Sequence, residues 1–91
     1  MTTAVTDNQA DHRYELAVGD QIVFALYRRD GTTVAIRHVE APPNLRGTGA
    51  AGRLMQDIVD HARVHQLAIV PRCSYARAWF AGHPEAQDVL D

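Results

Sequence analysis

The feature that most restricts how this chain can fold is Leu45-Arg46-Gly47-Thr48-Gly49-Ala50-Ala51-Gly52-Arg53-Leu54, a glycine-punctuated turn that runs without a break into a helical pattern. Apolar residues recur at 51, 54, 55, 58, 59 and 62, the spacing of one helix face. A helix with a single apolar stripe has to lie on another layer, and the segments on either side of it are strand-like. The helix is expected from about Gly49 to His65, with Arg53, Gln56, Asp57, Asp60 and Arg63 on its solvated face. Its first-turn N–H groups have no intrahelical acceptor and carry the positive end of the helix dipole. Turn and helix start together make an anion cradle, with the fixed charge of Arg46 at its rim. An ordinary turn before an ordinary helix fits the same residues.

Upstream, Tyr14 and Leu16, then Ile22 to Tyr27, then Thr33 to Glu40 read as three strands. Turns at Gly19-Asp20 and Asp30-Gly31 join them into an antiparallel meander. Strict alternation would put Val34, Ile36, His38 and Glu40 on one face of the third strand, with Ala35, Arg37 and Val39 on the other. Pro42-Pro43 ends it. Downstream, Leu67 to Val70 is a short apolar run stopped by Pro71. A strand, a crossover helix and a strand place this run parallel to the third strand. Ser74 is the expected cap of a short helix through Phe80, whose Tyr75, Trp79 and Phe80 would pack on the sheet, and His83-Pro84-Glu85 opens another helical turn. Residues 1–11 are small and polar without period and are expected to be a disordered tail. Residues 12–91 then form a single α/β domain, with one sheet, an antiparallel meander, a crossover helix, a parallel fourth strand and one or two short C-terminal helices.

A chain of 91 residues supports one small core. The formal net charge of −2 gives no electrostatic reason to expect nucleic acid as a partner. No apolar run is long enough for a bilayer, no charged-then-apolar leader opens the chain, and the one cysteine excludes an internal disulfide, so a cytoplasmic protein is expected. The exposed edges of so small a sheet leave it open to pairing with itself as a homodimer.

Arg46-Gly47-Thr48-Gly49-Ala50-Ala51 resembles the R/Q-x-x-G-x-G/A signature of the GNAT acetyltransferase superfamily, placed as in that family after a strand and opening a helix. Val70-Pro71-Arg72-Cys73-Ser74-Tyr75, followed by His83-Pro84-Glu85, is similar to the P-x-C and H/N-P motifs of a small single-domain branch of that superfamily. The resemblance covers about residues 13–90. It implies a minimal GNAT-like acyl-CoA-binding domain that takes acetyl-CoA as co-substrate, with no metal, and moves the acetyl group to a small-molecule or protein amine. The pantetheine arm would lie between splayed strands at His38–Ala41 and Leu67–Val70, along Val39 and Ala41. The pyrophosphate would sit on the amides of Arg46, Gly47, Thr48, Gly49, Ala50 and Ala51. The tyrosine with which these enzymes protonate the departing thiolate would fall at Trp79 or Phe80, neither of which donates such a proton. A coenzyme A-binding module without turnover is the alternative implied.

Three residues are candidates for the chemistry. Cys73, between a strand end and a helix start, is placed where the helix dipole favours anionic sulfur, and as an acyl acceptor it would make the transfer covalent. The competing reading is a small buried apolar side chain. His38 is a candidate general base, with a hydrogen-bonded core histidine as the competing reading. Glu40 could activate the amine or orient His38, with a capping or solvent-exposed carboxylate as the competing reading. His61 and His65 have the spacing of a two-histidine metal pair, but no third ligand is evident, and cations near a helix C-terminus are favoured by the dipole alone. Arg28-Arg29 reads as a solvated step beside a turn.

Overall fold

The computed structural model describes residues 5–91. Five strands form one sheet in the order of the sequence: β1 (Thr6–Asn8), β2 (Arg13–Val18), β3 (Gln21–Asp30), β4 (Thr33–Glu40) and β5 (Ala68–Pro71). The first four pair antiparallel, and β5 runs parallel to β4 with Val34 opposite Ile69. Helix α1 (Ala50–His65) crosses from β4 to β5, helix α2 (Ser74–Ala81) follows β5, and short 3-10 turns occupy Pro43–Leu45 and Pro84–Val89. No helix among the described residues is long and apolar enough to cross a membrane.

Both helices lie on one face of the sheet and share its core. From the strands come Tyr14, Leu16, Val23, Ala25, Tyr27, Val34, Ile36 and Ile69, all buried by alternation on the same face. Leu54, Met55, Ile58, Val59 and Ala62 of α1 and Ala76, Trp79 and Phe80 of α2 fill the space above them. The expected α1 stripe is buried except at Ala51, which stays partly open at the helix start. No helix covers the opposite face, where Ile22 is exposed and Phe24 is roofed by the Arg13 guanidinium at 4.7 Å.

The expected tail divides in two. Residues 1–4 lie outside the described residues, whereas the part that follows is structured. Val5 is buried, Asp7 pairs with Tyr14, and the Tyr27 hydroxyl donates to Asp7 Oδ1 at 2.5 Å. A polar strand of three residues has no apolar period to betray it. Its partners are the edge of β2 and a hydroxyl 20 residues away, both supplied by tertiary structure. At the other edge the C-terminus partly covers β5, with Leu90 bridging Ile69 and the Asp91 N–H donating to Ile69 O at 3.0 Å.

Candidate functional site

The pairing of β4 with β5 stops at Ile36 and Pro71. The Arg72 and Cys73 amides both donate to Ile36 O, at 2.8 and 3.2 Å, and beyond that point the strands part. The separation therefore lies at Arg37–Ala41 and Arg72–Cys73, later in the last strand than Leu67–Val70, because Ala68–Pro71 is taken up in the ladder.

A bulge in β4 coincides with this point. Leu26 faces His38 while Tyr27 faces Ile36, which leaves Arg37 as the extra residue. The bulge reverses the faces expected from strict alternation. Val39 joins Val34 and Ile36 on the helix side and packs against the core, whereas His38 and Glu40 turn to the open side. Backbone direction reverses with it. Tyr27 gives its N–H to His12 on the β2 side at 2.9 Å, so Leu26 and Phe24 turn theirs to β4 and meet His38 and Glu40. The main chain of Val39 consequently points away from β3, towards the gap left by β5.

That gap continues into a cleft of about 470 Å³ lined by Val39, Ala41, Leu45, the start of α1 and Tyr75. The loop on its rim is wound tightly. Leu45 N–H donates to Pro42 O at 2.9 Å, and Thr48 donates to Leu45 O through its N–H at 3.2 Å and its hydroxyl at 2.6 Å. Gly49 then enters α1 at φ 85°, ψ 3°, a left-handed conformation that opens the first turn outward. Among the described residues the N–H groups of Gly47, Gly49, Ala51 and Gly52 have no acceptor, and no carboxylate lines the cleft. Ala50 is buried at the helix start, where its N–H is 3.4 Å from Thr48 Oγ1. Arg46 is exposed, and its Nε donates to Ala41 O at 3.3 Å, which ties the loop to the end of β4. Free amides, the positive end of α1 and one guanidinium are a donor set for a multiply charged anion such as a pyrophosphate. Of the loop residues expected there, Thr48 alone does not line the cleft; its hydroxyl holds the turn instead.

Sequence reasoning missed Tyr75. Grouping it with Trp79 and Phe80 as packing is right for those two, which are buried, but Tyr75 stands 40% exposed at the cleft wall. A Cβ built on Gly52 would lie 4.0 Å from its hydroxyl and 3.8 Å from Trp79 Nε1, so the absent side chain at Gly52 leaves the phenol over the first turn of α1. Partial burial pushes the Tyr75 pKa upward, keeping the phenol protonated at neutral pH. A tyrosine in the first turn of a helix that follows a splayed strand was the available signal.

The candidates for chemistry are divided by the sheet. His38 Nε2 lies 3.3 Å from Glu40 Oε1 on the open side, both half exposed. Cys73 is the N-cap of α2, the role expected of Ser74: its Sγ accepts from the Ala76 N–H at 3.4 Å, and the side chain packs against the core instead of lining the cleft. The rings of His61 and His65 lie tilted with centroids 4.3 Å apart next to Tyr14, and no group of three metal-binding side chains forms among the described residues.

The fold resembles that of a GCN5-like protein from Staphylococcus aureus solved by NMR, with a TM-score of 0.67 at 21% identity over 100% of this chain and 91% of that one. A mixed sheet whose parallel pair parts beside a crossover helix with free amides defines the class of GNAT-fold domains. The model of the GCN5-related N-acetyltransferase family matches residues 13–89, and the chain belongs to that family.

Proposed function

We propose that this protein transfers the acetyl group of acetyl-CoA to an amine by direct attack. The observation that carries the reading is the continuity of one donor surface. The unpaired main chain of Val39 at the strand gap leads along Ala41 to the free amides of Gly47, Gly49, Ala51 and Gly52. Such a surface suits an extended amide-bearing arm that ends in phosphates.

In this reading the Val39 N–H holds the thioester oxygen and stabilises the charge that develops there. Ala41 and Leu45 pack on the pantetheine arm, and the loop amides with Arg46 hold the pyrophosphate. His38, oriented by Glu40, takes the proton from the attacking amine on the open side. As the C–N bond forms and the C–S bond breaks, Tyr75 at the cleft wall gives its proton to the departing sulfur. Cys73 packs against the core and does not line the cleft, which favours this direct route over a cysteine-bound acetyl.

The test combines acetyl-CoA calorimetry with thiol release over a panel of amines. Tyr75→Phe should bind acetyl-CoA as the parent does and lose about a hundredfold in kcat. Cys73→Ser, which keeps a capping oxygen, should retain most of its turnover. Acetyl-CoA binding with no release above buffer for any amine would refute catalysis and leave a coenzyme A-binding module. Loss of turnover in Cys73→Ser, with acetyl on the parent's sulfur by mass spectrometry, would establish the covalent route instead.

A further inference from the structure

The uncovered face of the sheet is not uniformly polar. Where β3, β4 and β5 meet, Arg28, Arg37 and Arg72 surround a hollow of about 570 Å³ floored by Ala35 and Val70. An adjoining hollow shares Arg28 and Arg37 and adds Arg29 and His12. Four of the nine arginines of a chain with net charge −2 therefore gather around two contiguous hollows, whose linings hold a single carboxylate, Asp30. Two arginines elsewhere are neutralised: Arg13 by Glu15, and Arg63 by Asp60 and Asp88. Among the described residues Arg28, Arg37 and Arg72 make no ion pair, Asp30 included, so three arginines line one hollow without a carboxylate partner. Like charges around one hollow repel one another, and an anion between them would relieve that repulsion.

The location matters as much as the charge. Arg37 is the bulge residue of β4, and Arg72 is the first residue beyond β5, so the two flank the point at which the strands part. The hollow lies on the opposite side of the sheet from Tyr75 and the α1 amides, since its floor residues Ala35 and Val70 alternate with the buried Val34, Ile36 and Ile69. His38 and Glu40 lie on the same open side.

The geometry points to this arginine hollow as the anchoring site of the acetyl acceptor, and to an acceptor that is a small amine carrying a carboxylate or phosphate group. The inference rests on the acetyl-transfer reading above. Two or three planar forks engage the anionic group of the acceptor bidentately, which directs its amine past His38 and Glu40 to the strand gap. An amine without the anion has only an open, half-apolar shelf to hold it. The hollow has the volume of a metabolite site, and the net charge of −2 gives no support for an extended polyanion.

The experiment has two arms, one of which needs no turnover. In the first, inorganic phosphate is titrated into the protein without coenzyme A, and amide resonances are followed by two-dimensional NMR. The amides of Ala35, Arg37, Val70 and Arg72 should shift, and the shifts should vanish in the Arg28→Gln/Arg72→Gln double variant, whose substituted residues are exposed and leave the core intact. Shifts confined to residues 47–52, or none, would overturn the anion site. In the second arm, thiol release from acetyl-CoA is compared for phosphoethanolamine against ethanolamine and for β-alanine against propylamine. The anionic member of at least one pair should be used at least tenfold better in kcat/KM, and the double variant should reduce that advantage to near unity through KM. Equal use within both pairs would overturn the assignment of the hollow to the acceptor. No turnover with any amine, alongside phosphate shifts at Ala35 and Val70, would refute the acetyl-transfer reading, and with it the acceptor role, while upholding an anion site.

Discussion

Replacing Gly49 by valine tests the phosphate cradle most directly, because the structure separates its cost to the fold from its cost to the ligand. Gly49 sits at φ 85°, and a Cβ built there meets nothing within 4 Å. The free protein therefore has no clash to relieve, only the strain of a β-branched residue in a left-handed conformation, about 2 kcal/mol. For a domain of this size that loss lowers Tm by roughly 8–16 °C. Gly49 lines the cleft together with Gly47, Ala51 and Gly52, whose amides are free. A valine side chain there should push a bound pyrophosphate off its donors and weaken coenzyme A binding by about thirtyfold, or 2 kcal/mol. The control is Gly31→Val, at φ 61° with nothing within 4 Å of its Cβ, in the β3–β4 hairpin at the opposite end of β4 from the cleft. It should lose similar stability and no affinity. Calorimetry well below both melting temperatures reads the two effects apart. Equal coenzyme A affinity in the parent and in a folded Gly49→Val protein would refute the placement of the phosphates.

Gly52→Ala, in contrast, should stabilise the protein by about 0.5–1 kcal/mol, because the backbone is helical and the new methyl meets Trp79 and Tyr75 only at contact distances of 3.8 and 4.0 Å; thermal melts check this, with a fall in Tm as the contrary result. Asp7→Ala should destabilise by about 2 kcal/mol in urea melts by leaving the Tyr27 hydroxyl without its charged acceptor, whereas an inert N-terminal strand predicts no change. Burial first and then the Asp7 charge push Tyr14 up to about 12, and burial followed by the Asp7 hydrogen bond raises Tyr27 as well. Both pKa values lie above the unfolded value of about 10, so the stability tied to the neutral phenols is complete below pH 10 and declines as pH rises towards the folded values. Tyr14 alone accounts for about 3 kcal/mol, and urea melts between pH 9 and 12 should show a slope that Tyr14→Phe reduces.

The order of elements from β2 onward, the class of fold and the glycine turn that opens α1 are legible in the sequence because each rests on local physics. The α1 stripe from Leu54 to Ala62 is a periodicity, the strand stop at Pro42-Pro43 is a missing donor, and the left-handed Gly49 is a residue type suited to one backbone region. The parallel placement of β5 also followed from the short strand–helix–strand connection. What depended on distant partners was not legible. The three-residue β1 is polar in itself and is held by the edge of β2 and by Tyr27. The bulge at Arg37 changes which side of the sheet His38, Val39 and Glu40 occupy, yet it is a mismatch in pairing with Leu26 and Tyr27 that leaves no mark on the composition of β4. Tyr75 shares its helix with Trp79 and Phe80, and only the position of α1 decides that it borders a cleft. Arg28, Arg37 and Arg72, separated along the chain by 9 and 35 residues, become one charged hollow only once β3, β4 and β5 lie side by side. Backbone preference and periodicity are properties of a segment, whereas facing, burial and charge clustering are set by the neighbours that the completed sheet brings together.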